Sequence, residues 1–136
     1  TQTHAYMSKP FKPGGYNSAS PYFMVKDAQQ IAHMLQEVFG ATEQRRYERP
    51  DGSIMHMEVL LDDSVIMMSD ATPQYPPYTL WMHVYVPDAV AVYERAIEYG
   101  CEGVEAPVQK DGDPDRRGTF KDAAGNYWAV STQLEA

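Results

Sequence analysis

The sequence predicts an α+β fold of two β-α-β-β-β modules. Three observations carry the prediction: one structural plan is stated twice, about sixty residues apart; each helical pattern is bracketed by an Asp and a Gly; and the remaining segments are short apolar strands between turn residues. In the first module Ser20 to Val25 alternates as a strand, and Asp27 is the expected N-cap, its carboxylate accepting from amides of the first helical turn. Ile31, Met34, Leu35, Val38 and Phe39 then recur at steps of three and four, and Gly40 supplies the left-handed residue that ends the helix. Thr42 to Arg49, the turn Pro50, Asp51, Gly52 and the run Ser53 to Leu61 form a hairpin. Asp62, Asp63 and Ser64 turn the chain into the strand Val65 to Ser69.

Residues Thr72 to Tyr78 hold three prolines and two tyrosines and form the linker between modules. The plan then repeats: a strand from Trp81 to Val86, the cap Asp88, and a helix with Val92, Ala96, Ile97 and Tyr99 on its inner side, closed by Gly100. After it come the strand Glu102 to Val108, a charged loop Gln109 to Arg117, the strand Gly118 to Lys121, the turn Asp122 to Asn126, and the strand Tyr127 to Thr132. The expected organisation is one domain over residues 1–136, with an arm (1–18) carrying the aromatics Tyr6, Phe11 and Tyr16, a first module (19–71), the linker (72–78) and a second module (79–136). Two modules read this way form a cupped mixed sheet with helices outside.

The chain has 136 residues and is 43% apolar, enough for one core without disulfide help. Its net charge of −8 argues against a nucleic-acid partner, because phosphate binding needs Lys and Arg to displace counterions. Cys101 is the single cysteine. No intrachain disulfide is possible, a reducing, cytoplasmic setting is the default, and a structural thiol is expected rather than a nucleophile. There is no apolar run long enough to span a membrane, and Thr1 to Met7 lacks a basic-then-apolar leader pattern.

The paired plan resembles the vicinal-oxygen-chelate superfamily of glyoxalases, extradiol dioxygenases and bleomycin-resistance proteins. Gly15, Tyr16, Pro21, Tyr22, Asp27 with Ala28, Phe39 to Ala41, Asp51 with Gly52, and His56, Met57, Glu58 look like its phosphonate-operon-associated, glyoxalase-like branch. So do the run Asp63 to Met67, Ser69 with Asp70, and Asp115, Arg116, Gly118, Asp122, Gly125 and Trp128. The last turn departs from that branch, with Ala123 and Ala124 where Pro and Phe are common. The resemblance implies a homodimer, in which modules commonly pair between chains. It also places one metal ligand on each of four cavity-facing strands, and those positions fall here on Ser20, Met67, Trp81 and Ala129. None of these side chains offers the imidazole, carboxylate or thiolate donor that Zn²⁺, Fe²⁺ or Ni²⁺ requires, so no metal and no cofactor are expected.

Strand alternation gives the residues that share a face with those positions. Tyr22 and Met24 lie beside Ser20, Val65 and Ser69 beside Met67, His83 and Tyr85 beside Trp81, and Tyr127 and Ser131 beside Ala129. Aromatic bodies with hydroxyls and one imidazole suit a small, partly aromatic ligand held by stacking and a few directed hydrogen bonds. The expected ligand-binding set is Tyr22, Met67, Trp81, His83, Tyr85, Tyr127 and Arg116, the last as an anion clamp. The plainer alternatives are aromatics that fill a collapsed barrel and arginines paired to Asp111, Asp113 and Asp115.

A rival reading recruits His56, Glu58 and His83 as a displaced metal site of a lyase or dioxygenase, or Glu58 and His83 as an acid-base pair. Its plainer counterpart pairs His56 and Glu58 with Arg45, Arg46 or Tyr47 across the hairpin. A third reading is a structural or protein-interaction module built on the aromatic arm and linker. His4 and His33 have no partner at a meaningful spacing.

Overall fold

The computed structural model describes residues 10–136; Tyr6 and His4 of the expected arm lie outside the described residues. The first module runs β1 (Tyr22–Val25), α1 (Ala28–Phe39), β2 (Thr42–Glu48), β3 (Ile54–Leu61) and β4 (Ser64–Asp70). The second runs β5 (Trp81–Tyr85), α2 (Ala89–Tyr99), β6 (Glu102–Val108), β7 (Asp115–Lys121) and β8 (Tyr127–Gln133). Each module forms a four-stranded mixed sheet, ordered β1-β4-β3-β2 and β5-β8-β7-β6. In both, the first strand pairs in parallel with the last and the others pair antiparallel.

Local chemistry sets the two helices in matching ways. Asp27 accepts from the Gln30 amide and Asp88 from the Ala91 amide, each about 1 kcal/mol of helix stabilisation. Gly40 and Gly100 end the helices at φ 74° and 115°, a region an L side chain enters only with strain. A second cap reaches in from each sheet: the Asp70 carboxylate accepts from the amides of Ala28 and Ile54, and the Thr132 hydroxyl accepts from the amide of Ala89. Each helix is thereby tied to the end of its module's last strand.

One core holds both modules, and its position fixes where their concave faces look. Phe23 of β1 stacks parallel on Trp128 of β8, ring centres 5.5 Å apart, and Phe39 at the end of α1 meets both Phe120 and Trp128. Phe23 and Trp128 project from the faces opposite Tyr22 and Tyr127. The modules therefore join back to back through their helix-bearing sides, with Arg95 of α2 donating to the Val38 carbonyl of α1. Within one chain the two concave faces turn away from each other rather than enclosing one space.

Several boundaries differ from the sequence reading. β1 begins at Tyr22, leaving Ser20 before the strand, since Pro21 accepts from the Met67 amide but has no N–H to donate in return. Asp115 to Arg117 belong to β7 rather than to a charged loop, since their backbone pairs with Ser131 to Gln133. His33 does have a partner, the Tyr99 hydroxyl at 2.8 Å, which the helix packing brings from sixty-six residues away. Ile97 faces outward from α2, 41% exposed, while Val92 and Ala96 lie in the core as expected.

Candidate functional site

The cross-strand registers lay the same frame under both concave faces. In the first sheet Tyr22 lies opposite Met67, Met67 opposite Glu58, and Glu58 opposite Arg45. In the second, His83 lies opposite Ala129, Ala129 opposite Thr119, and Thr119 opposite Glu105. Both outer strands also slip register at matching points, between Glu43 and Arg45 and between Gly103 and Glu105.

On the first face the polar groups close on one another. The Tyr16 hydroxyl donates to Glu58 Oε1 at 2.5 Å, and His56 Nε2 donates to Glu58 Oε2 at 2.7 Å. Tyr22 Oη lies 3.0 Å from His56 Nδ1. Arg45 lies 4.0 Å from the same carboxylate and over the Tyr16 ring. Burial pushes the Glu58 carboxyl up, but the hydrogen bonds from Tyr16 and His56, with the charges of His56 and Arg45, outweigh it and hold the group below its ordinary value. An ionised Glu58 accepts only, so in the neutral ring the proton sits on Nε2 and Nδ1 accepts from Tyr22. Carboxylate, imidazole and phenol then form a chain along which a proton can shift.

On the second face the aromatics stand open. Trp81 stacks on Tyr127 at 4.6 Å and 9° and remains 64% exposed, and Tyr85 is 60% exposed. Beside this shelf the Tyr85 hydroxyl donates to Asp115 Oδ2 at 2.8 Å, and Arg117 Nη2 donates to the same oxygen at 3.0 Å. Arg117 Nε donates to Asp113 at 2.8 Å, and Nη1 donates to His83 Nε2 at 2.9 Å. The Ser131 hydroxyl lies 3.0 Å from that same nitrogen. Burial, then the Arg117 charge, lower the His83 pKa against the opposing pull of Asp115, so the ring is held neutral. A cleft of about 1130 Å³ reaches this cluster from the module junction, with Leu61, Val92 and Arg95 on its far walls.

Of the sequence-derived set, the structure gathers Trp81, His83, Tyr85 and Tyr127 on one face, and Tyr22 and Met67 with His56 and Glu58 on the other. It does not bring His83 to His56 and Glu58 within the chain, because the seam between modules lies on the helix side of both sheets. The triad is thus absent from a single chain, and His56 and Glu58 take the hairpin pairing with Arg45 and Tyr47 instead. Arg116 projects to the face opposite Arg117 by alternation, so Arg117 is the arginine on the concave side, paired to Asp113 and Asp115. Sequence reasoning misses Tyr16 as a partner of Glu58, and it names Asp115 only as a carboxylate paired to the arginines, not as the acceptor for Tyr85. Tyr16 sits in an arm without periodicity, and Asp115 lies in a stretch whose charges read as a loop.

The positions where the resemblance puts metal ligands do not fit an ion. Trp81 offers a stacked ring and Ala129 a methyl, while Met67 and Ser20 are weak donors for Zn²⁺ or Fe²⁺. Each Glu58 oxygen already accepts one hydrogen bond, from Tyr16 or from His56, and among the described residues no group of three or more His, Cys, Asp or Glu side chains is placed to hold an ion. Cys101 is half-buried, and its thiol is pushed up to about 11 by burial and by Asp122, which leaves it unreactive as a nucleophile.

Known proteins share this architecture. A protein from Mycobacterium bovis with no assigned function is 27% identical over 124 residues, covering 82% of this chain and 80% of its own. The crystal structure of TioX from Micromonospora sp. ML1 matches with a TM-score of 0.70 at 18% identity, covering 86% of this chain and 100% of TioX. TnmS3, an antibiotic binding protein from Streptomyces sp. CB03234, matches with a TM-score of 0.66 at 20% identity, covering 86% of this chain and 97% of TnmS3. The model of the Glyoxalase/Bleomycin resistance protein/Dioxygenase superfamily matches residues 18–130. With most of its length inside that match and both modules in the expected order, the chain belongs to the glyoxalase/bleomycin resistance protein/dioxygenase superfamily.

Proposed function

We propose that this protein binds a small, partly aromatic molecule on the concave face of its second module without help from a metal ion. The observation that carries the reading is Trp81, stacked on Tyr127 yet 64% exposed, beside a polar cluster whose members fix one another's orientation. An exposed indole next to preorganised hydrogen-bonding groups gives a planar ligand both area and direction. The antibiotic-binding role stated for TnmS3 supports this reading. A second copy of the chain completes the cup: an open face bearing Trp81, His83 and Tyr85 is covered by the Tyr22 and Met67 face of a partner, making a homodimer.

Ligand-induced stabilisation in thermal melts is the test, run on chelator-treated protein against a panel of planar metabolites and antibiotics. A shift that vanishes in Trp81→Ala supports the reading, and a shift that appears only after a divalent metal is restored overturns it. Sedimentation velocity checks the dimer, for which the expected mass is twice that of the chain.

The geometry of Tyr22, His56 and Glu58 favours a second reading, acid-base chemistry at the Tyr22 hydroxyl with Glu58 orienting the imidazole. It requires turnover of a bound compound that is lost in His56→Gln while binding persists.

A further inference from the structure

Arg117 decides which nitrogen of His83 carries the proton. A guanidinium can only donate, and its Nη1 lies 2.9 Å from Nε2, so Nε2 must present a lone pair; a proton there would set two donors against each other. The buried Ser131 hydroxyl, 3.0 Å from Nε2, can donate or accept and also accepts from Arg117 Nη1 at 3.2 Å, so the donor-only guanidinium alone fixes the assignment. The proton of the neutral ring is therefore on Nδ1. Nδ1 makes no hydrogen bond among the described residues, and His83 itself is exposed, flanked on its face by Trp81 and Tyr85. A fixed donor thus stands beside an open aromatic shelf.

The charge around it narrows the ligand further. Arg117 is matched by two carboxylates, Asp113 at 2.8 Å and Asp115 at 3.0 Å, so this cluster carries no spare positive charge for an anion. Lys121 lies over the Tyr127 ring at 5.0 Å rather than on the cluster. We propose that His83, locked as its Nδ1–H tautomer by Arg117, sets the ligand class: an uncharged, planar aromatic molecule stacked on Trp81 and bearing a ring carbonyl that accepts from Nδ1. The proposal rests on the binding reading above and adds the specificity of that site.

Three probes of nearly one skeleton test it on the intact protein: 9-fluorenone, fluorene and fluorene-9-carboxylate, with affinities measured by calorimetry. A hydrogen bond of ordinary net strength predicts that the ketone binds about tenfold more tightly than the hydrocarbon. In His83→Phe the ketone and hydrocarbon should bind alike, and the carboxylate should gain nothing over the hydrocarbon in either protein. Equal affinity for ketone and hydrocarbon in the wild type, a preference that survives His83→Phe, or tightest binding of the carboxylate overturns the assignment of His83 while leaving the binding reading intact. Binding of none of the three, or binding unchanged in Trp81→Ala, takes down both. Nitrogen-15 NMR of the imidazole in the free protein tests the tautomer independently: a protonated Nδ1 is expected, and a protonated Nε2 overturns the proposal without any ligand.

Discussion

At one position of the shared frame the first module carries Glu58, 3% exposed and bound by Tyr16 and His56, while the second carries Thr119. At the neighbouring position the first has the bulky Met67 and the second Ala129. The first face is thus filled and internally satisfied, with the arm residue Tyr16 laid over its carboxylate, whereas the second leaves Trp81 and Tyr85 open beside a rigid polar row. Two copies of one backbone plan thus differ in how much aromatic surface their equivalent faces leave open.

The largest way to break the comparison is to attack the seam both modules share. Trp128→Ala removes the ring stacked on Phe23 and an indole donor to the buried Asp122, and should cost about 3–5 kcal/mol in urea unfolding followed by circular dichroism. A loss below about 1 kcal/mol would mean that the modules are not joined there. Next in size is the matched pair of central positions. Glu58→Gln leaves the His56 and Tyr16 donors without their ionic acceptor and should cost about 1–3 kcal/mol, whereas Thr119→Val at the equivalent place should stay within about 0.5 kcal/mol. Equal costs would erase the distinction between a closed and an open face.

Acid sharpens the same contrast. Glu58 has a folded-state pKa below its unfolded value, so its stabilisation is fully present above the ordinary carboxylate range and is lost as pH falls through the lower, folded value. His83 is also lowered in the folded state and acts in the same direction at higher pH, its contribution disappearing as pH falls below the ordinary imidazole range. Stability measured from pH 7 to pH 3 should therefore decline, and decline less steeply in Glu58→Gln. The smallest structural effect belongs to the open face. Trp81→Ala should cost no more than about 1 kcal/mol, the worth of an exposed aromatic pair, while abolishing any ligand-dependent thermal shift.

The modules themselves are legible in the sequence because their signals are local. Asp27 with Gly40 and Asp88 with Gly100 cap helices through residues a few positions away, and alternation sorts Tyr22 from Phe23 and Tyr127 from Trp128. The back-to-back docking is not legible. It depends on Phe23, Phe39, Phe120 and Trp128 finding one another across the chain, and the pattern that marks them as core says nothing of which module they face. The choice of Arg116 over Arg117 has a local cause: starting this strand at Gly118, three residues late, hides the alternation that separates the two arginines. Tyr16 reads only as an anchor, since nothing in an aperiodic arm names the carboxylate it meets.

If the second module's face binds a planar molecule by itself, without a metal, the protein carries its own reporter of that event. Trp128 is fully buried and Trp81 is exposed, so ligand quenching of tryptophan emission reads out Trp81. The most direct measurement is a fluorescence titration with a planar aromatic that stabilises the fold, on exhaustively chelated wild type and on Trp81→Phe. Saturable quenching in the wild type that is lost in the variant is the predicted result. Quenching that requires added metal, or that persists without Trp81, would contradict metal-free binding at this face.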